Sequence, residues 1–261
     1  MPSRPSQREI IIGDVHGMLD ELEALLALVD VHPHDRLVLL GDLINKGPDS
    51  AGVVSLLRAR RDRGHDVVLV MGNHEEKLLR YHRRRLSAAS GNVVASQATL
   101  DNLILSLGDA NLRFLKSAVL WHRLHAAGAL AVHAGIPPNI ASLPSPEEMP
   151  ALSHRQQLHS QQLLRVRRVN SHGNMVKLEN ATPADPFWAS IYDNRFGHVY
   201  FGHHAFADDS GPRRFPHATG LDLGAVYGNR LAAVVLEPGR DAEFVTVAAA
   251  RAHAIWNRWA E

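Results

Sequence analysis

The chain contains no cysteine. That absence excludes a disulfide framework, a thiolate zinc site and a cysteine nucleophile. Aromatic residues make up only 6% of the 261 positions. No run reaches the roughly 18 uninterrupted apolar residues that a membrane span needs, and Met1 to Arg8 lacks the apolar stretch of a secretory signal. Excess charge of either sign is also missing. With 28 Lys and Arg against 27 Asp and Glu the formal charge is +1, so nothing marks the whole chain as a polyelectrolyte for nucleic acid or an anionic membrane. The expectation is a cytoplasmic protein without membrane association. An apolar content of 45% excludes disorder as the main story. The sequence leaves the oligomeric state open.

What the chain does have is histidine, 17 of them, and short apolar runs that end in polar residues. Ile10–Ile12, Leu37–Leu40 and Val67–Met71 are continuous apolar runs of the kind that form strands buried on both faces. Helical spacing follows each one: Leu19, Leu22, Leu25, Leu26 and Val29; then Val53, Val54 and Leu57 behind Pro48-Asp49-Ser50; then Leu78, Leu79 and Leu86. Strand alternating with helix predicts a parallel α/β core. Further strands are expected at Ala129–Val132, Val199–Phe201, Leu231–Leu236 and Phe244–Ala248, the last two joined by a Pro238-Gly239 turn. Residues 81–125 and 137–190, the latter with a basic amphipathic piece at Gln156 to Val169, read as insertions covering one edge of a single domain over residues 1–261.

The polar residues fall where chemistry is done. Asp14 and His16 follow the first strand, Asp42 the second, and Asn73 and His74 the third; His133 ends the fourth and His203 follows the fifth. In open α/β sheets the carboxyl ends of the strands form the ligand crevice. Oxygen and imidazole donors without thiolate suit catalytic Mn, Fe, Zn or Co. Six such donors are too many for one ion with an open position, and a carboxylate bridging two ions about 4 Å apart would use them all.

The segments Gly13-Asp14-Val15-His16-Gly17, Gly41-Asp42-Leu43-Ile44-Asn45-Lys46-Gly47, Gly72-Asn73-His74-Glu75 and Val132-His133-Ala134-Gly135 resemble those of the calcineurin-like metallophosphoesterases. Within them, Asn45–Ser50, Trp188-Ala189-Ser190, Phe201-Gly202-His203 and Gly220–Gly228 are similar to the ApaH-like phosphatases and diadenosine tetraphosphatases of the phosphoprotein-phosphatase superfamily. The resemblance implies a four-layer fold, a central β-sandwich flanked by helices, here with helical insertions. It also implies two divalent metal ions, manganese first, with iron, zinc, cobalt or magnesium as alternatives. Asp14, His16 and Asp42 would hold one ion, and Asp42, Asn73, His133 and His203 the other. His74 would be the general acid, with Asn45 and Lys46 beside it in the catalytic set. Lys46, Asn73, Arg195 and Tyr227 would contact substrate. Glu75 reads as a support for the ligands or an early-helix charge.

The implied reaction is hydrolysis of phosphoanhydride bonds in nucleoside polyphosphates such as diadenosine tetraphosphate, with nucleotide-capped RNA a larger substrate of the same chemistry. Protein Ser/Thr phosphatases of the superfamily carry Asp-Arg where this chain has Asn45-Lys46, and a Tyr-Cys loop where it has Val226-Tyr227. Those departures favour the anhydride reading. A phosphoprotein phosphatase on the same site is the second reading, and an inactive module binding phosphorylated ligands or RNA the third. Arg80 and Arg83–Arg85, with Arg165, Arg167 and Arg168, would form a solvated helix face or a positive rim for polyphosphate. Trp188 would stack on a base or pack the insertion onto the core.

Overall fold

Each apolar run becomes a strand, and its two faces go to two different cores. The computed structural model describes residues 7–88, 97–144, 160–206, 208 and 211–255. In it β1 (Glu9–Ile12), β2 (Arg36–Leu39) and β3 (Asp66–Leu69) run parallel. Between them lie α1 (Leu19–Leu28) and α2 (Ser50–Asp62), and α3 (Asn73–Ala88) and α4 (Ala98–Lys116) follow. Ile10, Ile12, Leu37 and Leu39 pack with Leu22, Leu25, Val53, Leu57, Leu112 and Leu115 of the helices. The alternate residues Ile11 and Val38 face the other way, into a core shared with Ala129, Ala131 and Tyr200. Double burial explains why these runs are continuous rather than alternating.

The second sheet is built from β4 (Trp121–Leu124), β5 (Ala129–Val132), β8 (Val199–Phe201), β9 (Arg213–Arg214) and β10 (Ala218–Gly220), in the order β4-β5-β8-β10-β9. A small ribbon, β6 (Arg168–Val169) with β7 (Met175–Val176), lies apart from it. The chain then returns to the first sheet with β11 (Arg230–Leu236) and β12 (Glu243–Ala248), giving the order β12-β11-β1-β2-β3. β11 is antiparallel to β1 in the first sheet and β4 to β5 in the second, where β5 and β8 are parallel, so both sheets are mixed. A sequence reading confined to strand–helix alternation predicts one parallel sheet; the antiparallel return of β11 corrects it.

The insertions differ from their expected form. Residues 121–124 are a strand of the second sheet, so the first insertion stops at α4. Among the described residues, 137–190 carries short 3-10 turns and the β6–β7 ribbon rather than long helices. Residues 156–159 of the basic piece, and Pro146 and Pro150, lie outside the described residues. On the outer face of the second sheet, Trp188 is fully buried against Phe201 and Tyr192. It packs the insertion onto the sheet and has no face for a base. No helix among the described residues is long and apolar enough to cross a membrane.

Candidate active site

The loops after β1, β2, β3, β5 and β8 meet at one edge of the sandwich, and their backbones brace one another. Val15 and His16 donate their N–H groups to the Asp42 carbonyl, and Gly17 donates to Leu43. The fully buried Glu75 accepts from the backbone N–H groups of Asp42, Leu43, Ile44 and Gly72. Four orphan donors of two loops are thus satisfied by one carboxylate. Burial and the neighbouring Asp42 push Glu75 up to about 8, against the pull of those N–H groups. Gly72 permits this crowding: a Cβ there would meet the Asp42 and Glu75 carboxylates. His16, Asp42, Asn45, Lys46 and His203 all have positive φ, a backbone region that costs non-glycine residues energy and clusters at functional sites.

The side chains converge on Asp42. His16 Nε2 lies 3.7 Å and His74 Nε2 4.0 Å from Asp42 Oδ2, while His133 Nε2 is 3.5 Å from Asp42 Oδ1. Two groups form, His16–Asp42–His74 and Asp42–His133–His203, each with its donor atoms within 4.8 Å of one another. Asp42 is common to both. Asn73 Oδ1 is 2.9 Å from His133 Nε2. Asp14 stands beside these groups, its carboxylate accepting the His203 backbone N–H at 3.0 and 3.1 Å.

The histidines are oriented as ligands. His16 Nδ1 lies 3.0 Å from the Ile44 carbonyl and His133 Nδ1 2.7 Å from the Leu40 carbonyl. Each Nδ1–H donates to its carbonyl, which leaves Nε2 with its lone pair facing inward. Burial lowers His16 to about 3, helped by Lys46, and lowers His74, His133 and His203 as well. Neutral imidazole is the form that binds metal. For Asp42 burial pushes upward but His133, His74 and His16 outweigh it, so its carboxyl is held low. Asp42 Oδ2 and both ring nitrogens of His203 are buried with no hydrogen-bond partner among the described residues. The lone pair of His133 Nε2 faces the carbonyl oxygen of Asn73. Buried acceptors aimed at one another with nothing to donate to them are what divalent cations satisfy. The residues present therefore fit the implied metal ions.

Around this centre Lys46 Nζ donates to Tyr227 Oη at 2.8 Å and lies 3.3 Å from His16 Nε2. Asn45 Nδ2 donates to His74 Nδ1 at 3.0 Å. Arg195 departs from the sequence expectation. Its guanidinium donates to the carbonyls of Pro137 and Ile140 and pairs with Asp193. A fork with three of its five N–H donors committed to two carbonyls and a carboxylate pins the loop after β5. One residue, Asp222, was missed, and Arg167, expected on a solvated face or a positive rim, lies buried beside the cluster instead. Asp222, after β10, is buried and raised to about 6, by burial first. Arg167 donates to the His203 carbonyl at 3.2 Å. Thr219-Gly220-Leu221-Asp222 repeats the strand-then-acid pattern of the other loops, and that signal would have found Asp222.

The sequence model for calcineurin-like phosphoesterases matches residues 8–207. The chain belongs to the calcineurin-like phosphoesterase family. It is 29% identical to a symmetrical bis(5'-nucleosyl)-tetraphosphatase of Cellvibrio japonicus, over 87% of this chain and 95% of that one. It is 27% identical to the asymmetrical bis(5'-nucleosyl)-tetraphosphatase PrpE of Bacillus subtilis, over 85% of this chain and 87% of that one. A crystal structure provisionally described as a diadenosine tetraphosphatase superposes with a TM-score of 0.69 at 28% identity, covering 98% of this chain and 97% of the other. A Saccharomyces cerevisiae protein serine/threonine phosphatase shares the fold, with a TM-score of 0.58 at 14% identity over 94% of this phosphoesterase and 81% of that chain. As a member of this family the protein is a phosphoesterase, a hydrolase whose family implies divalent metal ions.

Proposed function

We propose that this phosphoesterase cleaves phosphoanhydride bonds of nucleoside polyphosphates of the diadenosine tetraphosphate type. Asp14, His16 and Asp42 would hold one divalent ion, and Asp42, Asn73, His133 and His203 a second. Asp14 retains lone pairs for this beyond the two that meet the His203 N–H. When bound, such ions supply Lewis acidity and an activated water. Manganese is the first candidate. Lys46 offers a point charge to the phosphate oxygens, and Tyr227 positions it. Nucleotide-capped RNA presents the same anhydride and is the larger substrate this reading admits.

The observation that carries the substrate class is the Asn45–His74 contact. Because the Asn45 amide donates to Nδ1, the proton of the neutral His74 ring sits on Nε2. A neutral imidazole offers the leaving oxygen a hydrogen bond but gives up a full proton poorly. A departing nucleoside phosphate is stable as an anion and needs no more than that. A serine alkoxide needs the whole proton. The sequences of the tetraphosphatase relatives point the same way.

The test is product analysis. The protein is incubated with Mn, then separately with Co and Mg, on diadenosine tetraphosphate and on a phosphoserine peptide, and the products are resolved by chromatography. Cleavage of the dinucleotide supports the reading: two ADP mark a phosphate chain centred on the site, and ATP with AMP a site that reads one end. Peptide dephosphorylation with the dinucleotide untouched overturns it.

A further inference from the structure

A cavity of about 680 Å³ lies along α3, the helix that opens with Asn73 and His74. Met71 and Glu76 are among its lining residues, and in the chain they flank the Gly72–Glu75 segment that carries Asn73 and His74. Glu76, Arg80 and Arg83 follow one helical stripe outward, and Lys116 at the end of α4 faces them. Glu76 is the one acid among the described lining residues, and it is already shared: Arg165 Nη2 lies 2.6 Å and Arg80 Nη1 3.1 Å from its two oxygens. Arg83 and Lys116 are exposed and have no carboxylate partner among the described residues. Among the described residues the wall therefore carries an excess of positive charge. It also carries apolar surface, Leu79 and the 62% exposed Leu86. The volume lies in the range of small-molecule sites, roughly 300–1,000 Å³. Cations beside apolar side chains match a ligand that is anionic at one end and flat and apolar at the other.

We propose that this cavity is the subsite for the second nucleotide of the substrate, the end that extends past the Asp42-centred cluster: its phosphate meets Arg83 and Lys116, and its base covers Leu79 and Leu86. The inference rests on the dinucleotide reading. It is tested with the double variant Arg83→Gln, Lys116→Gln in the full-length, Mn-loaded protein. The readout is the ratio of kcat/KM for diadenosine tetraphosphate to kcat/KM for p-nitrophenyl phosphate, which is too short to reach the cavity. The expected result is a ratio at least about tenfold lower than in the wild type, with the loss carried by KM for the dinucleotide. A control removes equal charge elsewhere on the exposed surface, at Arg63→Gln with Arg240→Gln, and its ratio stays within twofold of the wild type. A cavity variant whose ratio also stays within twofold overturns the subsite and leaves the substrate class standing. A wild-type protein that hydrolyses p-nitrophenyl phosphate but not the dinucleotide overturns both.

Discussion

His74 stands between two partners of opposite character, the Asp42 carboxylate at 4.0 Å and the Asn45 amide at 3.0 Å. Its contribution should therefore depend on the leaving group. His74→Asn is expected to lower turnover by about 100-fold or more on an alkyl phosphate but only about tenfold on the dinucleotide, since general-acid catalysis is worth roughly 10²–10⁴-fold where a proton must be given. Steady-state rates on the two substrates check it, and equal losses would sink the leaving-group argument. Lys46 offers a different experiment, because it sits at φ 67° in a region that costs an ordinary residue about 1–2 kcal/mol. Lys46→Ala keeps the strain and loses the ammonium; Lys46→Gly loses both. The glycine variant should melt higher than the alanine variant while both lose at least about tenfold in turnover. Matching melting temperatures would show that the loop carries no strain at this position.

At the scale of elements, the loop after β2 and the first turn of α3 behave as one unit because Glu75 ties them. Replacing Glu75 by Gln puts an amide N–H₂ against backbone N–H donors, leaving at least one buried donor unpaired at a cost of about 1–3 kcal/mol. Glu75→Gln is expected to lower the unfolding free energy by that amount and to weaken metal binding about 10–100-fold; calorimetry and metal titration give the two numbers. The elements themselves were legible to the extent that apolar runs are. Ile10–Ile12, Leu37–Leu40 and Ala129–Val132 are strands because burial on both faces leaves nothing polar in them, and the polar residues that follow each of them are the ones the fold brings together. The two-residue strands β6, β7 and β9 have no pattern to read, since so short a segment is placed by its partner rather than by its own composition. Arg195 shows a related effect. Position near a strand end makes an arginine a candidate for phosphate, but whether its donors are free depends on the carbonyls of Pro137 and Ile140, which lie in a remote stretch of the chain. Asp222 shows the reverse: its pattern was present, but its burial beside Asp14 is a tertiary fact.

For the whole molecule, the candidate ligands divide between the two sheets: Asp14, His16, Asp42 and Asn73 from the first, His133 and His203 from the second. Ions bound there would join two layers that otherwise meet through apolar packing and a few hydrogen bonds, such as those from His133 to the Leu40 carbonyl and from the His203 N–H to Asp14, so chelation should lower the melting temperature. Readdition should raise the unfolding free energy by about 1.4 kcal/mol per tenfold in metal for each ion held, once the site is filled. A melting temperature indifferent to chelation would argue against native-state ions. Acid acts on the fold elsewhere. His122, on β4, is lowered to about 4 by burial, with Arg36 and His125 adding to it, and its buried Nε2 has no partner among the described residues. The unfolded chain takes up this proton near pH 6.5 and the native state only near 4. Stability attributable to His122 is thus full above pH 6.5 and is lost as the pH falls to about 4, with a slope of up to about 1.4 kcal/mol per pH unit. His122→Gln should flatten the stability profile in that window, measured by denaturant unfolding at fixed metal. The strand order has its own consequence. β1, which delivers Asp14 and His16, lies between β2 and β11, with Ile12 opposite Ala233. On the ribosome, a nascent chain can pair β1 with β2 early, but the other edge of β1 stays open until β11 has emerged from the exit tunnel. β1 therefore presents an unpaired strand edge, able to pair with another chain, for most of the synthesis of each copy.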